Sequence, residues 1–332
     1  MANRPAEEEL RKTLSGQGVE TFAGKAIATR DAYGAALYRL GMENPKIVVL
    51  DADLSCSTKT IRFAQAFPER FFNVGISEQD MVCTAGGLAL AGLIPFASTF
   101  AVFETGRAWE QVRQTIAYSS LNVKLAATHS GITVGEDGAS HQALEDIALM
   151  RVIPNMTILV PADGFEAEQF VRLAAEFEGP VYIRLGRAKT EAVMPADYKA
   201  VIGKAYTFSK GRDVCIIATG TMVSESLKAS EILSQKGISV GVVNMSTIKP
   251  FDGETVLKAI EGCRLVVSAE EHSVIGGLGG AIAEFLSERA PMRLIRIGTT
   301  DTFGCSGTPS ELMKTFRLTA GDIATSVLTN LG

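Results

Sequence analysis

Along most of the chain, short β-branched apolar runs alternate with longer stretches whose apolar positions recur every three or four residues. The runs KIVVLDA (46–52), FFNVG (71–75), LIPFAS (93–98), NVKLAAT (122–128), MTILV (156–160) and PVYIRLG (180–186) read as strands. Helical spacing covers 31–41, 78–91, 104–118, 142–150 and 164–177. Strands alternating with helices in this rhythm predict βαβ units and a parallel sheet. The rhythm stops at AKTEAVMPADYKA (188–200) and resumes with DVCIIATG (213–220), ISVGVVNMS (238–246), RLVVSAE (264–270) and RLIRIGT (293–299). The fold expected is therefore α/β with two domains, each an open, mostly parallel sheet flanked by helices. Residues 1–20, polar and punctuated by SGQG, read as an N-terminal arm with room for a short helix. The first domain is placed at 21–192 and the second at 193–332.

Composition narrows this picture only a little. In 332 residues, 46% are hydrophobic and 21% charged, enough apolar material for two cores without a disulfide or metal staple. A formal net charge of −5 argues against a nucleic-acid surface. Five scattered cysteines without a C-x-x-C read as reduced thiols, not a zinc site or a disulfide framework. The charged start MANRPAEEELRKTL lacks the apolar stretch of a signal peptide, and no apolar run is long enough to cross a membrane. A cytoplasmic protein without nucleic-acid or membrane partners is the expectation.

Open parallel sheets bind ligands beyond the carboxyl ends of their strands. Asp51 and Asp53 end the first expected strand, Glu78 follows the second, His129 ends the fourth and Arg187 the sixth. In NVGISEQDMVCTAGGLALAG (73–92), Ser77 and Asp80 resemble a helix N-cap and its acidic third residue, which puts Glu78 in the first turn. Glutamate there commonly does no more than complement the helix dipole. The glycines behind it cost a helix about 1 kcal/mol each against alanine, so they suggest close packing against a partner element. In ATHSGITVGEDGASHQALEDIALMR (127–151), glycines let the backbone approach a ligand, and His129, Asp137 and His141 offer donors and acceptors for a polyol or a phosphate. A zinc site is not expected, since no third nitrogen or sulfur ligand has a fitting spacing. Phe100 and Phe103 in STFAVFETGRAWEQVRQ (98–114) could wall a flat ring or be ordinary core aromatics. EEHSVIGGLGGAIAEFL (270–286) misses the dinucleotide spacing and reads as helix–sheet packing.

Taken together, ATRDAY, DADLSCST, GISEQDM, STFAVF, ATHSGITVGEDGASHQ, ILVPADG and RLGR resemble the pyrimidine-binding domain of transketolases, in order and spacing, from about residue 25 to 190. The second half is similar to the C-terminal domain of that family, more loosely. The resemblance implies that Glu78 hydrogen-bonds the pyrimidine ring of thiamine diphosphate, favouring the tautomer that lets the cofactor deprotonate its own thiazolium carbon. It implies a cofactor contact at Asp53 and an aromatic wall at Phe100 and Phe103. Arg30, Ser57, His129 and Arg187 match positions that hold a sugar phosphate, and Asp137 and His141 match the pair that reads hydroxyls near the reacting carbonyl. The third wall aromatic of full-length transketolases is Gly106 here.

The GDG motif that anchors Mg²⁺ and the diphosphate in that family does not occur in this sequence. The implied protein is one subunit of a split transketolase of the pentose phosphate type, active only with a partner chain that carries the diphosphate and magnesium site. A 2 + 2 heterotetramer is the implied assembly. Rival readings are a 1-deoxyxylulose-phosphate synthase-like chain, a 2-oxo acid dehydrogenase β-like subunit, and a non-catalytic assembly partner.

Overall fold

A computed structural model describes residues 21–331; the arm expected at 1–20 lies outside the described residues. Among the described residues two large sheets organise the fold, and a small antiparallel pair joins Ile27–Ala28 to Lys189–Thr190. The larger has seven strands in the order Thr247–Lys249, Thr157–Leu159, Val181–Arg184, Lys124–Ala127, Ile94–Ser98, Ile47–Asp51, Phe71–Asn73. All neighbours are parallel except the first pair. The smaller has five, in the order Leu294–Thr299, Leu265–Ser273, Val214–Ala218, Val240–Asn244, Tyr206–Ser209, with only the last strand antiparallel. The α/β class and its helix-flanked, mostly parallel sheets are thus those read from the pattern of the sequence.

Central strands such as Ile47–Asp51 and Val214–Ala218 are buried at every position, as expected when helices cover both faces. On one face of the seven-stranded sheet, helices Thr29–Glu43 and Gly164–Glu176 pack Tyr33, Leu37 and Phe170 against Val49, Phe96 and Ile183. The opposite face runs into a core shared with the smaller sheet, joining Leu125 and Tyr182 to Ile217, Val243 and Met245. Asp163 caps the Gly164–Glu176 helix by accepting from Glu166 N. Glu270 accepts from the amides of Leu278 and Gly279 at 2.7 and 2.8 Å, holding the start of the Leu278–Arg289 helix against the sheet. The 270–286 stretch is helix–sheet packing, as its sequence suggested.

Several local expectations are corrected. The helix expected over 104–118 is three pieces: Ala101–Gly106, Trp109–Gln111 and a π-helical turn Val112–Ala117. It starts early because Ala101 N bonds to Thr128 O, and Gly106 lets it break. The helix expected over 142–150 is Asp146–Arg151, because Gln142 is drawn across to Ile132 O and Cys305 O. Ser77 occupies the N-cap position of helix Glu78–Leu90 but makes no side-chain capping bond. That helix's close glycine contact lies within the domain: a Cβ on Gly86 would sit 2.7 Å from Thr115 Cγ2, while one on Gly87 would meet open space. Thr247–Lys249, from the second half of the chain, extends the first sheet beside Thr157–Leu159. Its three residues carry no alternation long enough to read as a strand.

Candidate active site at the carboxyl edge of the seven-stranded sheet

The loops that follow the parallel strands converge on one edge and bring together most of the residues singled out in the sequence. Asp53 and His129, just past their strands, are non-glycine residues at φ 63° and 57°, a conformation that costs energy and recurs at functional sites. Asp53 is exposed and accepts from Asn73 Nδ2 at 3.0 Å. Glu78, the first residue of its helix, is only 4% exposed and accepts from Arg107 Nη1 at 2.8 Å. Phe100 and Phe103 lie nearly parallel, 5.8 Å apart and 11° between planes, with Phe100 buried. His141 meets Phe103 edge-on at 5.4 Å, and its Nδ1 bonds to Ser140 Oγ at 2.9 Å. A Cβ at Gly106 would meet nothing within 4 Å, so the place of a third aromatic is open space.

Arg30, Ser57 and His129 form a second group. Arg30 Nη1 donates to Ser57 O at 3.1 Å and lies 3.0 Å from His129 Nε2. His129 stacks on Phe100 with ring centroids 3.7 Å apart, and its Nδ1 lies 2.9 Å from Thr128 Oγ1. Burial, together with the Arg30 guanidinium, pushes the His129 imidazole down to about 3. A neutral ring can accept from Arg30 at Nε2 while its Nδ1–H faces Thr128, and this fixes the guanidinium more than it adds charge.

The depressed basicity has a stability consequence with a definite sign. The unfolded histidine takes up a proton near its ordinary 6.5, whereas the folded one resists protonation until about pH 3. The stability linked to it is complete above pH 6.5 and is lost as pH falls toward 3. By pH 5 the loss is about 2 kcal/mol. Urea denaturation at pH 7 and pH 5 is expected to show this loss in the wild-type chain and not in His129→Asn. Equal losses in both would mean that the imidazole is not held neutral.

Two other predicted residues make no direct bond to the Arg30, Ser57 and His129 group, although the Arg187 charge acts on both Arg30 and His129. Arg187 Nη1 donates to Val134 O and to Glu136 Oε2, the latter at 2.8 Å. Asp137 lies in the exposed part of the histidine loop, near enough to Arg30 to act on its charge but without a side-chain bond to any other residue singled out. Among the described residues no group of three or more His, Cys, Asp or Glu side chains gathers as a metal site.

Sequence reading missed three participants. Nothing marks Arg107 inside the expected helix 104–118, yet it reaches Glu78 from 29 residues away. Glu104 is fully buried with neither carboxyl oxygen partnered. Burial, and the nearby Glu78 and Asp51 charges, push its carboxyl well up, which favours its neutral form behind the site. The third participant is the second domain, which braces the histidine loop. Thr133 N donates to Glu271 Oε1 at 2.6 Å, and Gln142 Nε2 to Cys305 O at 2.9 Å. A Cβ on Gly131, at φ 77°, would fall 2.4 Å from the Glu271 carboxyl, so only glycine allows that contact.

A buried carboxylate at a helix start, two stacked aromatic rings and open space beside them fit a flat, hydrogen-bonding heterocycle. Comparison with known proteins agrees with that description. The family model for the transketolase pyrimidine-binding domain matches residues 25–192, and that for the transketolase C-terminal domain matches 203–323. A transketolase C-terminal section from Methanocaldococcus jannaschii is 49% identical over 92% of this chain and 97% of its own length. The 6-deoxy-6-sulfo-D-fructose transketolase subunit SqwH of Clostridium sp. is 41% identical over 89% of this chain and 91% of that one. A solved split-gene transketolase, described as an inactive β4 tetramer, superposes with a TM-score of 0.85 at 52% identity, over 92% of this chain and 98% of that one. Matched over both domains, the chain belongs to the transketolase family.

Proposed function

We propose that this chain is the subunit of a split transketolase that holds the pyrimidine end of thiamine diphosphate, and that its enzyme transfers a two-carbon ketol unit from a ketose phosphate to an aldose phosphate. The observation that carries the reading is Glu78, buried at the N-terminus of its helix beside the Phe100–Phe103 stack. Residues 21–192 form the pyrimidine-binding unit in this reading and 193–332 the unit that braces it, with Thr247–Lys249 crossing between them.

The cofactor, when bound, supplies the stabilised carbanion chemistry of the transfer. The chain's own residues do the rest. Glu78 holds and lends a proton at the pyrimidine ring nitrogen, while Phe100 and Phe103 fix the ring's plane and exclude water. Asp53 adds a polar contact at the rim. Arg30, kept in place by Ser57 and His129, receives the sugar phosphate together with Arg187. Asp137 and His141 read the hydroxyls near the reacting carbon, with His141 the nearer to the aromatic wall.

A partner chain carrying the diphosphate and Mg²⁺ site completes the enzyme, in a 2 + 2 heterotetramer. Ile76 and Leu90, at the two ends of the Glu78 helix, are 75% and 76% exposed, which supports a subunit interface beside the site. The split-gene organisation of the similar solved protein and the subunit status of the Clostridium relative support it further. Among the described residues no helix is long and apolar enough to cross a membrane.

The test is a ketol-transfer assay with xylulose 5-phosphate and ribose 5-phosphate, supplied with thiamine diphosphate and Mg²⁺. The chain alone is expected to be inert and the chain recovered with its native partner active. Turnover by the chain alone would overturn the shared site. Silence from both would move the donor to another ketose, the sulfo-sugar of the Clostridium relative being the first to try.

A further inference from the structure

Arg107 occupies the two features that the pyrimidine ring would use. Its Nη1 donates to Glu78 Oε1 at 2.8 Å, and its guanidinium lies over the Phe103 ring, 4.2 Å from the centroid. Glu78 is almost wholly buried, whereas the Arg107 side chain is 51% exposed. The arginine therefore reaches into the site from outside and is not locked there by surrounding atoms. Gly106 beside it adds no side chain that would crowd it, and a Cβ there would meet nothing within 4 Å.

A guanidinium is flat, carries in-plane N–H donors and a delocalised positive charge, and stacks on aromatic faces. An aminopyrimidine protonated at its ring nitrogen shares each of those properties. We propose that Arg107 is a built-in stand-in for the pyrimidine: in the chain without cofactor it fills the seat, and it must swing out for the cofactor to enter. This rests on the reading of Glu78 as the pyrimidine carboxylate.

Three physical points favour the proposal. A carboxylate as buried as Glu78 would be costly if left unpaired, so before the cofactor binds it needs another partner. One face of the Phe103 ring cannot stack two flat groups at once. A guanidinium left in place would also repel the positive charge that develops on a protonated pyrimidine. The stand-in thus stabilises the chain before assembly and weakens its hold on the cofactor. Because the pair is half in solvent, the weakening is modest, about three- to tenfold in affinity.

The experiment is a calorimetric titration of thiamine diphosphate with Mg²⁺ into the complex recovered with its native partner. It compares wild type with Arg107→Ala, Arg107→Gln and Glu78→Ala. Tighter binding by about three- to tenfold in the Arg107 variants is expected. If Arg107→Ala does not fold, Arg107→Gln, which keeps a polar side chain that is shorter and uncharged, decides the matter. Unchanged or weaker binding in the Arg107 variants, with Glu78→Ala still destroying affinity, would overturn the stand-in alone and make Arg107 a supporting wall. Wild-type affinity in Glu78→Ala would overturn the reading of the site, and the stand-in with it.

Discussion

Glu78→Ala is expected to reduce ketol transfer by the assembled enzyme by about 10³-fold or more while leaving the chain folded. The chemistry asks for a group that can hold and return a proton at a buried ring nitrogen, and alanine offers none. Water is a poor replacement, because the carboxylate is nearly sealed under the start of its helix. The structural cost of the change is small. Removing the acid leaves Arg107 unpaired, but that side chain is half exposed and can turn to solvent, so stability should move by about 1 kcal/mol at most. Activity is measured under saturating thiamine diphosphate and Mg²⁺, alongside a urea denaturation of the same variant. Turnover within tenfold of wild type would remove Glu78 from the centre of the mechanism. A collapse of both activity and stability would mean that its role is structural.

Glu78 also shows how far sequence reading carries, and where it stops. Its place at a helix start was legible, because an S-x-x-D pattern precedes an apolar periodic stretch and a strand lies just upstream. The convergence of His129 and the Phe100–Phe103 pair was legible by the same route, since each follows a strand and parallel strands deliver their carboxyl ends to one edge. Arg30, which follows a short antiparallel strand, was carried only by the family resemblance. Arg107 was not legible, because a charge inside a helical pattern reads as solvated unless its partner is known, and here the partner comes from another helix. Glu104 was hidden for the opposite reason, since nothing in FAVFETG marks a glutamate as buried. The bracing of the histidine loop by Glu271 and Cys305 depends on how two domains dock, which local pattern does not encode. The regular elements announced themselves through period, and the contacts between them did not.

The largest loss of stability is expected at Asp146, away from the chemistry. Its carboxylate is fully buried and takes a bond from Arg184 Nε at 2.7 Å, a second from Arg184 Nη2 at 3.1 Å, and one from Tyr182 OH at 2.7 Å. Burial alone would raise its carboxyl, yet the Arg184 guanidinium and the hydrogen bonds from Arg184 and Tyr182 hold it below the ordinary carboxylate range. Asp146 therefore stays charged, and so does Arg184, which also donates to Glu271 O and Ala143 O. That fork ties the strand Val181–Arg184 to the second domain and to the end of the histidine loop. Asp146→Ala strands a buried guanidinium with only neutral acceptors, and the expected cost is about 3–5 kcal/mol. An apolar pair, Asp146→Leu with Arg184→Met, should recover much of that loss, because it removes both charges together. Chemical denaturation of the two singles and the double measures this as a cycle. The histidine loop provides the second readout: amide exchange at residues 131–142 should quicken in Asp146→Ala, since the backbone it leans on has lost its anchor. A cost below 1 kcal/mol, with exchange unchanged, would mean that the two domains are held by their shared apolar core and that the ion pair only sets their register.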